Sequence, residues 1–391
     1  MLRKIAIAVT GLIIIAALAF FTFAPAYVER SLNPVAVSET GWPVSPEAVA
    51  LHDRLVIGDW HSDALLWDRD LLKRVDRGHT DIPRLQDGNV ALQVFTAVTK
   101  SPSGLNYGQN SAEAPDDITR LFMGQLRPMR TWSSLLERAL EQSAQLHAMA
   151  RRDPQALIII RSRKDLAAHL DARANGAKTV GALLGTEGGH PLEGDAANLD
   201  LLYRAGFRLI GLTHFFDNDL GGSLHGESGQ GLSDFGHQVV AGMMARNMVI
   251  DLAHASPQMV RDVLAIEGTR PIVSHTGIHG HCPSRRNLSD DLMRAVAAKG
   301  GVIGIGYWQD VTCGATPAAI AASISAAIAL LGEDHVSLGS DYDGSVTVPF
   351  DAAGLPALTQ ALMDAGLTEA RITKVMGGNM MRYLAETLPE N

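Results

Sequence analysis

A chain of 391 residues, 46% of them hydrophobic, is long enough to bury a large core, and an α/β barrel can absorb this length as one unit. The formal charge is −9 and no long basic run occurs, which argues against nucleic acid as a partner.

The predicted elements begin with an apolar N-terminus. Met1-Leu2-Arg3-Lys4 is a short basic head, and Ile5 to Ala24 carries no charge. That run is about as long as a helix needs to be to span a bilayer. Ala24-Pro25-Ala26 fits a small-x-small cleavage site, the mark of a signal peptide, but the run exceeds the apolar core of about 7–15 residues usual for one. Its length favours a retained anchor. In both readings Arg3 and Lys4 stay inside and the bulk of the chain is exported. It is then held at the cytoplasmic membrane, facing outward, or secreted if cut after Ala26. The expected division is residues 1–26 as anchor or signal, 27–50 as a proline-bearing lead-in, and 51–391 as the folded unit.

From there, eight short apolar runs rich in Val, Ile and Leu read as strands buried on both faces: 55–59, 90–98, 179–185, 208–212, 248–251, 271–274, 301–305 and 336–339. Helical patterns lie between most of them, at 134–150, 234–247, 256–265, 289–299 and 315–331, with two more at 355–364 and 368–387. Alternation of this kind predicts a parallel sheet, and eight units predict closure into a (β/α)8 TIM-like barrel. Ala156–Ile160 is a further strand candidate that blurs the count. Loops 101–118 and 217–233, rich in Gly, Ser and Asn, follow the second and fourth strands and should hang over the active rim.

Five of the strands run into residues of metal-ligand type. Residues two apart on a strand point the same way, so His61 and Asp63 can share an ion. Glu187 follows VGALLGT and precedes Gly188-Gly189, which permit a sharp turn behind it; read alone it is an ordinary loop acid. His254 and His275 each end a strand, where a lone histidine is more often a core residue, but two on neighbouring strands shift the balance. Three ligands serve one catalytic zinc; five, with a carboxylate among them, suit two ions bridged by Glu187. Asp341, nearest the end of the last strand, can move protons, and Asp343 is its rival. Arg286 is a natural clamp for a substrate carboxylate, against the simpler reading of a solvated arginine before a capped helix. His214 can be a ligand, a donor to substrate or a bland loop residue. The two cysteines, Cys282 and Cys313, form a bridge or remain free thiols; export favours the bridge.

Together these residues resemble the renal or membrane dipeptidase family, a branch of the dinuclear metal-dependent amidohydrolases. The resemblance rests on Asp59-Trp-His61-Ser-Asp63, Thr80-Asp-Ile-Pro-Arg84, Gly185-Thr-Glu187-Gly-Gly, Leu212-Thr-His214, Ile250-Asp-Leu-Ala-His254-Ala-Ser256, Val273-Ser-His275, Arg285-Arg-Asn-Leu-Ser-Asp-Asp291, Gly339-Ser-Asp-Tyr-Asp-Gly344 and Gly377-Gly-Asn379, in family order across residues 52–385. It implies zinc-dependent hydrolysis of dipeptides. His61 and Asp63 would hold one zinc ion, His254 and His275 the other, and Glu187 would bridge them. His214 and Arg286 would hold the dipeptide, and Asp341 would shuttle protons. It also implies a homodimer and matches Cys282 and Cys313 to a cysteine pair of exported relatives. The segments after His214 and His275 depart from the family pattern, so specificity is less determined than reaction type. Other amidohydrolases that act on non-peptide amides or esters often bridge their metals with a carbamylated lysine. None of the seven lysines stands where Glu187 does. A tethered binding protein without activity would be expected to have lost part of this set, and none of it is lost.

Overall fold

The computed structural model describes residues 2–36, 38 and 41–391. Among the described residues, nine strands follow one another: β1 (Ile57–Ser62), β2 (Val90–Val98), β3 (Leu157–Ile159), β4 (Val180–Glu187), β5 (Phe207–Gly211), β6 (Val249–Asp251), β7 (Val273–Thr276), β8 (Ile303–Ile305) and β9 (Val336–Leu338). Every pairing between them is parallel. The order β6-β5-β4-β2-β1-β9-β8-β7 is brought back on itself where Asp251 bridges Ile272. There Ile272 N–H donates to Ile250 O and Leu252 N–H to Ile272 O, each at 2.9 Å. The fold is therefore the expected (β/α)8 barrel. The extra candidate at 156–160 is also real. β3 pairs with Val180–Ala182, low on β4, and β5 takes Leu184–Thr186 above it, so β3 lies outside the ring of eight.

The helices between strands open on side-chain caps. Ser233, Ser256 and Thr316 each accept a backbone N–H of the first turn of helices Asp234–Ala245, Pro257–Ala265 and Pro317–Leu331. Proline at the first position of the latter two loses no helical hydrogen bond. A compact apolar cluster of Leu92, Val94, Leu183, Leu209, Val249, Ile272 and Val302 draws on six strands or their immediate flanks at once, which side chains inside a ring can do. Met380, Met381, Tyr383 and Leu384 of the C-terminal helix Asn379–Thr387 close that cluster from below. The predicted single helix over 368–387 is interrupted by one wide turn at Lys374–Gly378. The cause is close approach to the barrel: a Cβ on Gly377 would fall 2.0 Å from the Val56 carbonyl oxygen.

The N-terminal helix runs from Leu2 to Leu32, through Pro25. It is long and apolar enough to cross a membrane, with mean hydropathy 2.6 in its most apolar stretch, none of which is buried against the protein. Residues 27–50, expected as a proline-bearing lead-in, carry helix at both ends. The helix continues to Leu32, and its last turns dock on the barrel. Buried Glu29 lies 2.9 Å from Arg69 and 2.6 Å from Arg77. Val35 then pairs with Val348, and Pro46–His52 forms a short helix capped by Ser45.

Candidate metal centre and active site

The chemistry-bearing residues gather at the C-terminal mouth of the barrel. His61 lies in β1 and Asp63 just past it, Glu187 is the last residue of β4, and His275 lies in β7. His214, His254 and Asp341 each stand three residues beyond β5, β6 and β9, and Arg286 comes from the loop after β7. All eight predicted residues meet around one cavity of about 390 Å³; Asp63, Glu187, His214, His254, Arg286 and Asp341 line it, and His61 and His275 lie buried beside them.

Glu187 is the hub. Its Oε1 lies 3.5 Å from His61 Nε2, 3.3 Å from His254 Nε2 and 3.6 Å from His275 Nε2, and its Oε2 lies 3.2 Å from His214 Nε2. His61 Nε2 is also 3.3 Å from Asp63 and 3.8 Å from Asp341. Gly188, with φ +85°, turns the chain sharply behind this carboxylate, a conformation that favours glycine. His254 and Asp341 are themselves held at φ 62° and 59°. A non-glycine residue in that region costs on the order of 1–3 kcal/mol, and such strain concentrates at functional sites.

The donor set fits a divalent metal. Ser274 Oγ donates its one proton to Asp251 Oδ2 at 2.6 Å. It therefore accepts from His275 Nδ1–H at 2.8 Å, which leaves the lone pair of His275 on Nε2. That lone pair faces His254 Nε2 at 3.0 Å, a nitrogen that already accepts from Arg286 at 3.1 Å. Two imidazole nitrogens and a Glu187 oxygen thus converge, with Arg286 donating to one of them, a convergence that fits a cation. Three overlapping groups have the spacing to hold one: His61, Asp63 and Glu187; Glu187, His254 and His275; His61, His275 and Asp341.

The electrostatics agree. Burial, with Arg286 beside them, holds His254 and His275 well below the ordinary histidine range, so both are neutral. Burial resists charge on His61, but Asp63 and Glu187 outweigh it and raise His61 well above its ordinary value. Burial and the nearby Glu187 push Asp63 up to about 6. Burial opposes charge on Glu187, yet His214, His254 and His61 keep it well below the carboxylate range. Burial raises Asp341 well above that range, with Asp63 and Glu187 adding to it against His61 and Arg286. A site in which carboxylates compete for protons is one that attracts positive charge.

The model of the family described as membrane dipeptidase, peptidase family M19, matches residues 46–389. The chain belongs to this family. It is thus a metallopeptidase-type hydrolase. It is 28% identical over 393 residues to dipeptidase aclJ of Aspergillus oryzae, covering 94% of this chain and 85% of that protein. Its fold matches the crystal structure of dipeptidase AC, a metallopeptidase of family M19, with a TM-score of 0.71 at 23% identity, over 86% of this chain and 99% of that one. A metallopeptidase from Rhodobacter sphaeroides, liganded with a phosphinate mimic of the dipeptide L-Ala-D-Ala, matches with a TM-score of 0.69 at 24% identity, over 85% and 99%.

Around the membrane dipeptidase motifs lie supporting residues with no role assigned from the sequence. Asp59 accepts from His61 N–H at 3.0 Å and Ser340 N–H at 2.9 Å, tying β1 to β9 below the site. Thr96 donates to Asp63 at 2.5 Å. Its signal was the alternation Leu92, Val94, Thr96, which carries the inner face of β2 up to the mouth. Tyr107, from loop 101–118, accepts a hydrogen bond from Trp308 at 2.9 Å and stacks on Phe215. The two predicted loops do meet over the site, where Asn110 N–H donates to the His225 carbonyl at 2.8 Å. Asp343 is placed elsewhere: it is buried against Arg69 and accepts from His79 N–H at 2.6 Å. Cys282 and Cys313 are bridged, which pins the Arg286 loop to the segment after β8.

Proposed function

We propose that the protein is a zinc-dependent dipeptidase with two ions per chain, one at His61 and Asp63, the other at His254 and His275, and Glu187 between them. The observation that supports this most is the place of Glu187, one oxygen of which lies within 3.6 Å of three imidazoles from three strands or their ends. When bound, such a pair of ions polarises the scissile carbonyl and makes water a nucleophile at neutral pH.

The chain's own residues do the rest. Arg286, fully buried over the Trp308 ring, offers its guanidinium to the free C-terminal carboxylate one residue beyond the cut. His214, its Nε2 beside Glu187, donates to the substrate carbonyl. Asp341 takes a proton from the attacking water and returns it to the leaving amine. The helix Leu2–Leu32 holds the barrel, residues 51–391, on the outer side of the cytoplasmic membrane, and two copies associate as a homodimer.

The test is dipeptide hydrolysis by protein stripped with a chelator and titrated with zinc. Activity should vanish on stripping and return in full at two equivalents; full activity with one ion or none would overturn the dinuclear reading. Arg286→Met should lower kcat/KM by roughly 10–150-fold on a dipeptide, the worth of a charged hydrogen bond. The loss should nearly disappear on the dipeptide amide, and equal losses on both would assign Arg286 to another task.

A further inference from the structure

The helix that carries the membrane-length stretch does not end in a free tether. Its final turns are fastened through Glu29 to Arg69 and Arg77, and Asn33 accepts from Ser345 N–H at 2.9 Å. This fastening fixes Val28 and Leu32, one helical turn apart and on one face. Both line the same cavity as Glu187 and Arg286. Glu29 between them is 2% exposed, whereas Val28 and Leu32 remain 37% and 43% exposed. Two aliphatic side chains held rigidly at a cavity mouth, and only partly covered by protein, are placed to be covered by a ligand.

The order of strands around the ring says which part of the ligand. Arg286 follows β7. Of the other apolar side chains that line the cavity, Leu66, Trp67, Ile118 and Val346 come from the segments after β1, β2 and β9. In the ring order, β7 stands across from β1 and β2, with the Glu187 hub between. A dipeptide gripped by its C-terminal carboxylate at Arg286, with its scissile carbonyl over Glu187, directs its N-terminal residue to the apolar side.

We propose that the last turn of the N-terminal helix is a wall of the substrate pocket, in which Val28 and Leu32 contact the side chain of the dipeptide's N-terminal residue and favour a large apolar one. This rests on the dipeptidase reading above. The anchor then sets specificity as well as location, and the pocket opens where the chain leaves the membrane.

The experiment uses the full chain in detergent micelles and compares kcat/KM for Gly-Ala, Leu-Ala and Phe-Ala. Val28→Ala and Leu32→Ala change half-exposed positions and leave no buried cavity. Each should lower the Phe-Ala to Gly-Ala ratio roughly three- to tenfold, the worth of a partly buried aliphatic contact. Leu32→Trp, which fills the wall, should lower the same ratio by obstructing the larger side chain. Unchanged ratios in all three variants, or equal losses on every substrate, would overturn the proposal while leaving the dipeptidase reading in place. A metal-loaded wild type that cleaves none of the three would overturn that reading and this inference with it.

Discussion

The floor and the mouth of this barrel are built from the same strands on opposite terms. At the floor, Leu92, Val94, Leu183 and Leu209 meet Met380, Tyr383 and Leu384, and apolar burial decides every position. Two residues higher on the same faces stand Thr96 above Val94 and, four above Leu183, Glu187. There the local rules are broken: the buried carboxylates of Asp63 and Glu187 come within 4.8 Å of one another, imidazole nitrogens oppose, and His254 and Asp341 sit in left-handed backbone. Groups so arranged persist because the floor and the strand ladders below over-determine them. Stability and chemistry are therefore separable along the barrel axis, and each end can be attacked by itself.

The largest effect is expected at the mouth. Asp341→Asn should preserve the fold and the metal content while lowering kcat by roughly 10²–10⁴-fold, the span for loss of a positioned acid–base group. Steady-state kinetics with metal analysis on the same sample checks this; near-normal turnover would remove Asp341 as the proton carrier. Next in size is the floor. Met380, on the same helix as Tyr383, is fully buried against Gly58, so Met380→Ala should cost about 2–5 kcal/mol in denaturant unfolding. The folded fraction should keep its kcat/KM. A loss of catalytic efficiency matching the loss of stability would show that floor and mouth are coupled after all.

How much of each end was legible in the sequence follows from the same contrast. The floor announces itself through uninterrupted Val, Ile and Leu runs, so the eight ring strands were placed within a few residues, and even the ninth segment was visible as Ala156–Ile160. What could not be read was that β3 shares the edge of β4 with β5, because that depends on pairing register and not on composition. At the mouth, the residues that break the apolar pattern, His61, Glu187, His254 and His275, were conspicuous for that reason. Their supports were not: Thr96, Ser274 and Asp251 are small or acidic residues whose role appears only when neighbouring strands bring them together. The docking of Glu29 on Arg69 and Arg77 spans 40 and 48 residues of chain, and no local pattern encodes it.

The smallest predicted effect sharpens the boundary between the two ends, because Ser274 lies on it. Its hydroxyl donates to Asp251 Oδ2 and accepts from His275 Nδ1, with His61 Nδ1 3.4 Å away. One oxygen thus sets the tautomer and ring direction of His275 and lies within reach of His61 on the other side of the centre. Ser274→Ala removes that oxygen without changing the backbone, whose N–H still donates to Asp251 Oδ1 at 2.8 Å. His275 is then free to carry its proton on Nε2, the nitrogen that faces Glu187 and His254. Loss of such an orienting partner typically costs about 10–100-fold in metal affinity or activity. The readout is zinc affinity by competition with a chromophoric chelator, measured beside the unfolding midpoint. A fall in affinity at nearly constant stability assigns Ser274 to the mouth; a fall in stability with affinity intact would make it a floor residue that merely touches the site.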